Sequence, residues 1–168
     1  MLAKVAVELA RLLYPHLDAG QVALAALNHD DVEAYVGDTP THNITADGLM
    51  SKAAREAEGL GQLVAEYRDV APGYAKDVQI YEAQEDPHVR FVRVVDKMMV
   101  LLVHLPNDGL VLREKFTREA YIAHRAQVRD RLIAQYPEYQ ELIELEKELS
   151  GWLADRYLGD EAVVQSHK

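Results

Sequence analysis

Asn28-His29-Asp30-Asp31-Val32-Glu33-Ala34-Tyr35-Val36-Gly37-Asp38-Thr39-Pro40-Thr41 follows six apolar residues, Val22 to Leu27. A helix that is apolar on every side is normally buried. The spacing predicts one helix from about Gln21 to Tyr35, ended by Gly37, with a turn at Asp38-Thr39-Pro40. That helix would run out of the interior and present a histidine and three carboxylates within a turn and a half. The C-terminal end of a helix carries partial negative charge and disfavours acids. Burying a lone ionised carboxylate is costly. A divalent cation would relieve both difficulties. On a helix, His29 and Asp30 stand about 100° apart and can grip one ion from two sides, and Glu33 lies on the face of His29. The competing reading is a solvated helix end whose acids face water.

Outward from this stretch, the chain reads as helices. Val5, Leu9, Leu12 and Leu13 give the first its apolar face, over Leu2 to Tyr14. Pro15 and Gly20 bracket a connection that holds His16 and Asp18. Asp38 to Asp47 is a polar loop. A third helix is predicted over Leu49 to Val70, loosened by Gly59 and Gly61, and a fourth over Tyr74 to Glu82. Another starts at Pro87 and runs to about Leu105. Pro106-Asn107-Asp108-Gly109 is a turn. Phe116 to Tyr136 is the next helix, and Pro137 opens the last. There Leu142, Leu145, Leu149 and Trp152 form a stripe among Glu141, Glu144, Glu146, Lys147 and Glu148. No alternating strand and no repeat is present. The expected fold is all-α, a single-domain helical bundle of six or seven helices over residues 1–158, with residues 159–168 as a frayed tail.

Composition narrows the function classes. The 168 residues suit one domain, and 49% of them are hydrophobic. Net charge is -10, which argues against a general nucleic-acid surface. The chain has no cysteine, so neither disulfides nor thiolate metal sites arise. The apolar run Met98 to Val103 is too short to span a bilayer, and Met1 leads straight into an amphipathic helix. A cytoplasmic protein is expected. The stripe on the last helix could also serve a homodimer.

Asp96 sits in Phe91-Val92-Arg93-Val94-Val95-Asp96-Lys97-Met98-Met99. On a helical wheel it shares a stripe with Val92, Met99 and Val103 and so would face the core. Aspartate is rarely buried unless paired. An ion pair with Arg93 is one explanation, and a metal is the other. His104 lies two turns further on, either near the same site or packed in the core.

Taken together, His-Asp-x-x-Glu at His29, Asp30 and Glu33, the Gly37-Asp38-Thr39-Pro40-Thr41 turn and Arg93-Val94-Val95-Asp96-Lys97 resemble an HD-domain phosphohydrolase. The branch it is similar to contains the bacterial 5'-deoxynucleotidases. The resemblance covers about residues 1 to 110. It implies an all-α HD-type bundle, a divalent metal (Mn, Mg, Co or Fe) and a small phosphorylated substrate such as a nucleoside 5'-monophosphate. Carried over by matching positions, His29, Asp30 and Asp96 would be metal ligands. Glu33 and Asp38 would handle protons and orient water or substrate.

The pattern departs from the family in three places. The family's first ligand histidine lies one helix before the doublet, typically preceded by an arginine; no residue from Met1 to Tyr14 is histidine, and the usual arginine is missing as well. His16 falls in the connection after that helix. Thr41-His42-Asn43 stands where relatives tend to have a proline and a lysine. Either the reading frame starts late, or the chain is a natural short form that binds a nucleotide or a protein without turnover. His16 or His42 as a replacement ligand is a third option.

Overall fold

A computed structural model describes residues 1–37 and 46–159, without the side chains of residues 46, 47, 49 and 50. The expected turn and loop after Gly37 and the tail beyond Gly159 lie outside it. The described residues are all-α, with nine helices rather than six or seven: α1 (Leu2–Leu13), α2 (Ala19–Leu27), α3 (Glu33–Val36), α4 (Ala46–Tyr67), α5 (Pro72–Ala83), α6 (Pro87–Leu102), α7 (Leu110–Lys115), α8 (Arg118–Gln135) and α9 (Gln140–Leu158). They fall into two compact units, Met1–Val92 and Arg93–Lys168. No described helix is long and apolar enough to cross a membrane.

In the first unit, α1 packs on α2 through small side chains. The buried residues of α1 are Leu2, Ala6 and Ala10, and those of α2 are Val22, Ala25 and Ala26. Asp18 caps α2 by accepting the Gln21 N–H at 2.9 Å. The expectation that Val22 to Leu27 is buried all round fails at Leu27, which is 67% exposed. A second cluster gathers Val32, Leu63 and Val78, with Tyr35, Val36, Tyr67 and Tyr74 against it. It joins α3, α4 and α5. Gly59 does not loosen α4; a Cβ there would fall 2.7 Å from Val36 Cγ1, so the missing side chain is what lets α3 lie against α4. Asp86 opens α6, accepting the N–H groups of His88 at 2.8 Å and Val89 at 3.3 Å. Pro87 follows at the first helical position, where its missing N–H costs nothing. Phe91 packs edge-on against Tyr14, with ring centroids 5.5 Å apart.

The second unit closes around Leu101, Leu112, Tyr121, Leu153, Ala154 and Tyr157. Its short α7 lies in a segment the sequence reading leaves without structure. Gly109 precedes it with φ +69, a left-handed conformation, and a Cβ there would overlap the Tyr157 ring. Thr117 caps α8 through Ala120 N–H at 3.2 Å, and the helix expected from Phe116 starts at Arg118. Arg118 also forms an ion pair with Asp155 of α9. On α9 the buried positions are Leu142, Ile143, Glu146, Ser150, Leu153, Ala154 and Tyr157. Glu146, read from the sequence as one of the charges around the stripe, is therefore fully enclosed. Leu142 and Leu149 turn to this unit's core, whereas Trp152 stays half-exposed under the Arg156 guanidinium at 5.3 Å.

Candidate functional site

The decisive stretch is not one helix. α2 stops at Leu27, and Asn28 to Val32 form turns before the single-turn α3. The physical reason lies in four successive polar residues. Asn and Asp side chains compete for backbone groups and favour turns over helix interiors. Asn28 ends α2 with its N–H on Leu24 O at 3.2 Å. The turn continues through Asp31 N–H to Asn28 O at 3.4 Å and Glu33 N–H to Asp30 O at 3.0 Å. Gly37 closes α3 with φ 75, donating to Glu33 O at 2.8 Å. The helical-face geometry expected for His29, Asp30 and Glu33 is thus replaced by turn geometry.

The turn still brings two donors together. His29 Nε2 lies 2.7 Å from Asp30 Oδ2. The imidazole is mostly enclosed and the carboxylate exposed, at 24% and 59% side-chain exposure. His29 Nδ1 is buried with no hydrogen-bond partner among the described residues. One imidazole and one carboxylate side by side suit Mn, Mg, Co or Fe(II) in donor chemistry. Glu33 is partly buried at the start of α3. Asp38 and His42 lie outside the described residues. His16 is exposed, its ring edge-on to Tyr14 at 6.1 Å.

Three tyrosines that the sequence reading does not single out hold this turn to its neighbours. Tyr35 donates its hydroxyl to Glu66 Oε2 at 2.8 Å. That bond, with the adjacent charge, pushes the phenol up to about 12. Tyr74 is raised as well, first by burial and then by the charge of Asp31 and a hydrogen bond to it. Tyr67 stands edge-on to Tyr74 at 5.0 Å. Tyrosines at a three-to-four spacing from apolar residues were the only signal available for this cluster.

Asp96 belongs to the second unit. It is 29% exposed in its side chain and accepts from Lys97 Nζ, the next residue, at 2.8 Å. The stripe expected to carry it inward does not hold, since Val103 is exposed. The buried face of α6 there is Val94, Val95, Met98 and Leu101, and Asp96 stands at its rim. His104 is buried in the same unit, its Nδ1 without a hydrogen-bond partner among the described residues. Burial lowers its pKa, helped by the charges of Arg125 and Lys115. Among the described residues no three His, Asp or Glu side chains gather into a group that could hold a metal ion.

Comparison with known proteins bears on this site. The model of the HD domain matches residues 1–140. No curated protein matches the chain. Among solved structures, a crystal structure from Magnetospirillum magnetotacticum, described as a predicted metal-dependent phosphohydrolase, is similar to it. The two share 27% identity with a TM-score of 0.64, over 92% of this chain and 76% of that one. With a match over most of its length, an all-α fold and a His-Asp doublet at the end of an early helix, the chain belongs to the HD-domain family.

Proposed function

We propose that this chain is a metal-dependent phosphohydrolase acting on a small phosphorylated substrate, a nucleoside 5'-monophosphate or a similar ester, in the cytoplasm. The observation that carries the reading is the 2.7 Å approach of His29 and Asp30, with a buried ring nitrogen that has no partner among the described residues, in a chain of the HD-domain family. The neighbour described as a phosphohydrolase supports it. His29, Asp30 and Asp96 are the proposed ligands of a divalent cation. When bound, such an ion supplies charge that polarises a phosphate oxygen and acidifies water.

The chain's own residues would do the rest. Glu33 and Asp38 take and return a proton beside the phosphate. Asp31, whose charge acts on Tyr74, stands on the same turn as His29 and Asp30. The short Asn28–Val32 segment is anchored below by Val32, which is buried against Leu63 and Val78. A second reading, an HD-fold protein that binds a nucleotide or a partner without turnover, is favoured by the Lys97–Asp96 ion pair, which already satisfies the distant carboxylate.

Phosphate release from a panel of nucleoside monophosphates, with Mn, Co or Mg added, separates the two. Asp30→Ala and Asp96→Ala should lose bound metal by elemental analysis while keeping native helicity. Glu33→Ala should keep the metal and lose roughly 10²- to 10⁴-fold in turnover, the usual weight of a general acid or base. Absence of release with every metal would remove the enzymatic reading. Metal retained in Asp96→Ala would remove Asp96 from the ligand set.

A further inference from the structure

The single turn α3, Glu33–Val36, is too short to be stable alone, so its neighbours must set its orientation. Val32 and Val36 give it apolar contact with the cluster around Leu63 and Val78. Such contact is non-directional and does not fix rotation about the helix axis. Tyr35 adds a directional contact, its hydroxyl donating to Glu66 Oε2 of α4 at 2.8 Å. That bond is the first reason the phenol is pushed up to about 12, so the hydroxyl stays protonated and donating throughout the neutral range. Glu66 is the wrong residue type for its place by local rules. It lies in the last turn of α4, where the helix end is partially negative and which holds no basic residue. Among the described residues the Tyr35 hydroxyl is its partner, and no cation pairs with it. An acid kept at a locally unfavourable position points to a functional constraint.

We propose that the Tyr35–Glu66 bond is a positioning clasp that fixes the rotation of α3 and so aims the Glu33 carboxylate, an inference that rests on the reading of Glu33 as a proton carrier. Residues two apart on a helix stand about 200° apart around its axis. With Tyr35 held on α4, Glu33 is turned to the opposite side of α3. Its backbone stays tied to the turn of His29 and Asp30, the Glu33 N–H donating to Asp30 O at 3.0 Å. A side-chain tip lies about 5–6 Å from the helix axis, so a rotation of about 20° carries it about 2 Å. A misplacement of about 1 Å can already cost about 10²-fold in rate. Tyr35 and Glu66 are thus positioning residues that act through Glu33.

The test uses the full chain. Tyr35→Phe and Glu66→Ala should lower kcat for a nucleoside monophosphate about 10- to 100-fold, with KM within about twofold of the parent. Glu66→Gln keeps an acceptor oxygen and should stay within about threefold. Tyr35→Phe added to Glu33→Ala should cause no further loss, because the group it aims is gone. A further loss of about tenfold in that double variant, or an unchanged kcat in both single variants, overturns the proposal. Amide exchange at Gly37, whose N–H donates to Glu33 O at 2.8 Å, reads the clasp without turnover. It should quicken about tenfold in Tyr35→Phe and in Glu66→Ala, with the amides of α1 and α2 unchanged. Unchanged exchange at Gly37 overturns the clasp. Exchange quickened throughout the first unit overturns the positioning role, since the bond would then serve general stability. A parent chain that releases no phosphate while Gly37 still responds keeps the clasp and overturns the reading of Glu33 as a proton carrier.

Discussion

Glu146 shows how much one side chain can decide. It is fully buried and faces two arginines, one of them almost as buried. Removing the charge strands Arg125 without a counter-ion. Glu146→Gln should therefore cost about 3–5 kcal/mol in urea unfolding. Replacing Arg125, Arg129 and Glu146 together by apolar residues of similar volume should be neutral or stabilising by about 1–4 kcal/mol. His104 provides a pH signature. Its folded pKa is lowered, so the folded protein stays neutral there while the unfolded chain takes up a proton below about 6.5. Its contribution is flat above that value, and stability falls as pH drops from it towards the lowered folded pKa. Urea midpoints should decline as pH falls below about 6.5, and His104→Gln should flatten part of that decline.

Among the helices, α4 offers a paired test at two glycines. A Cβ at Gly61 meets nothing within 4 Å, whereas one at Gly59 meets Val36 Cγ1 at 2.7 Å. Gly61→Ala should stabilise by about 0.5–1 kcal/mol through helix propensity. Gly59→Ala should forfeit that gain, or destabilise, because α3 must move. Thermal midpoints of the two variants read the difference directly. Periodicity carried most of the helices. The face of α1, the proline that opens α6 and the turn before Gly109 could all be read from residue spacing. Two kinds of information could not. Local polar competition breaks α2 at Asn28, although the apolar run points onward to Tyr35. A wheel cannot say which way a helix is rotated, so Asp96 was placed on an inner stripe that packing puts at Val94, Val95, Met98 and Leu101. The same ambiguity sent Glu146 to the surface. For the candidate site, the doublet was legible as a motif, while its tyrosine supports depend on contacts between residues as far apart as 31 to 43 positions, Tyr35 with Glu66 and Asp31 with Tyr74.

At the scale of the whole chain, charge dominates. A net charge of -10 on 168 residues repels itself and is screened over roughly 10 Å at 0.1 M salt. The thermal midpoint should rise as sodium chloride is raised from a few millimolar to about 0.15 M. A fall over that range would mean that favourable exposed ion pairs outweigh the net repulsion. The boundary between the two compact units falls at Val92 and Arg93, inside the 16 residues of α6. A cloning junction placed there would sever the hydrogen-bonded ladder of that helix. The upstream fragment would keep the Asp86 cap with barely a turn and a half to stabilise. The downstream one would open on raw N–H groups with no capping side chain. Anyone dividing this gene for expression should cut elsewhere.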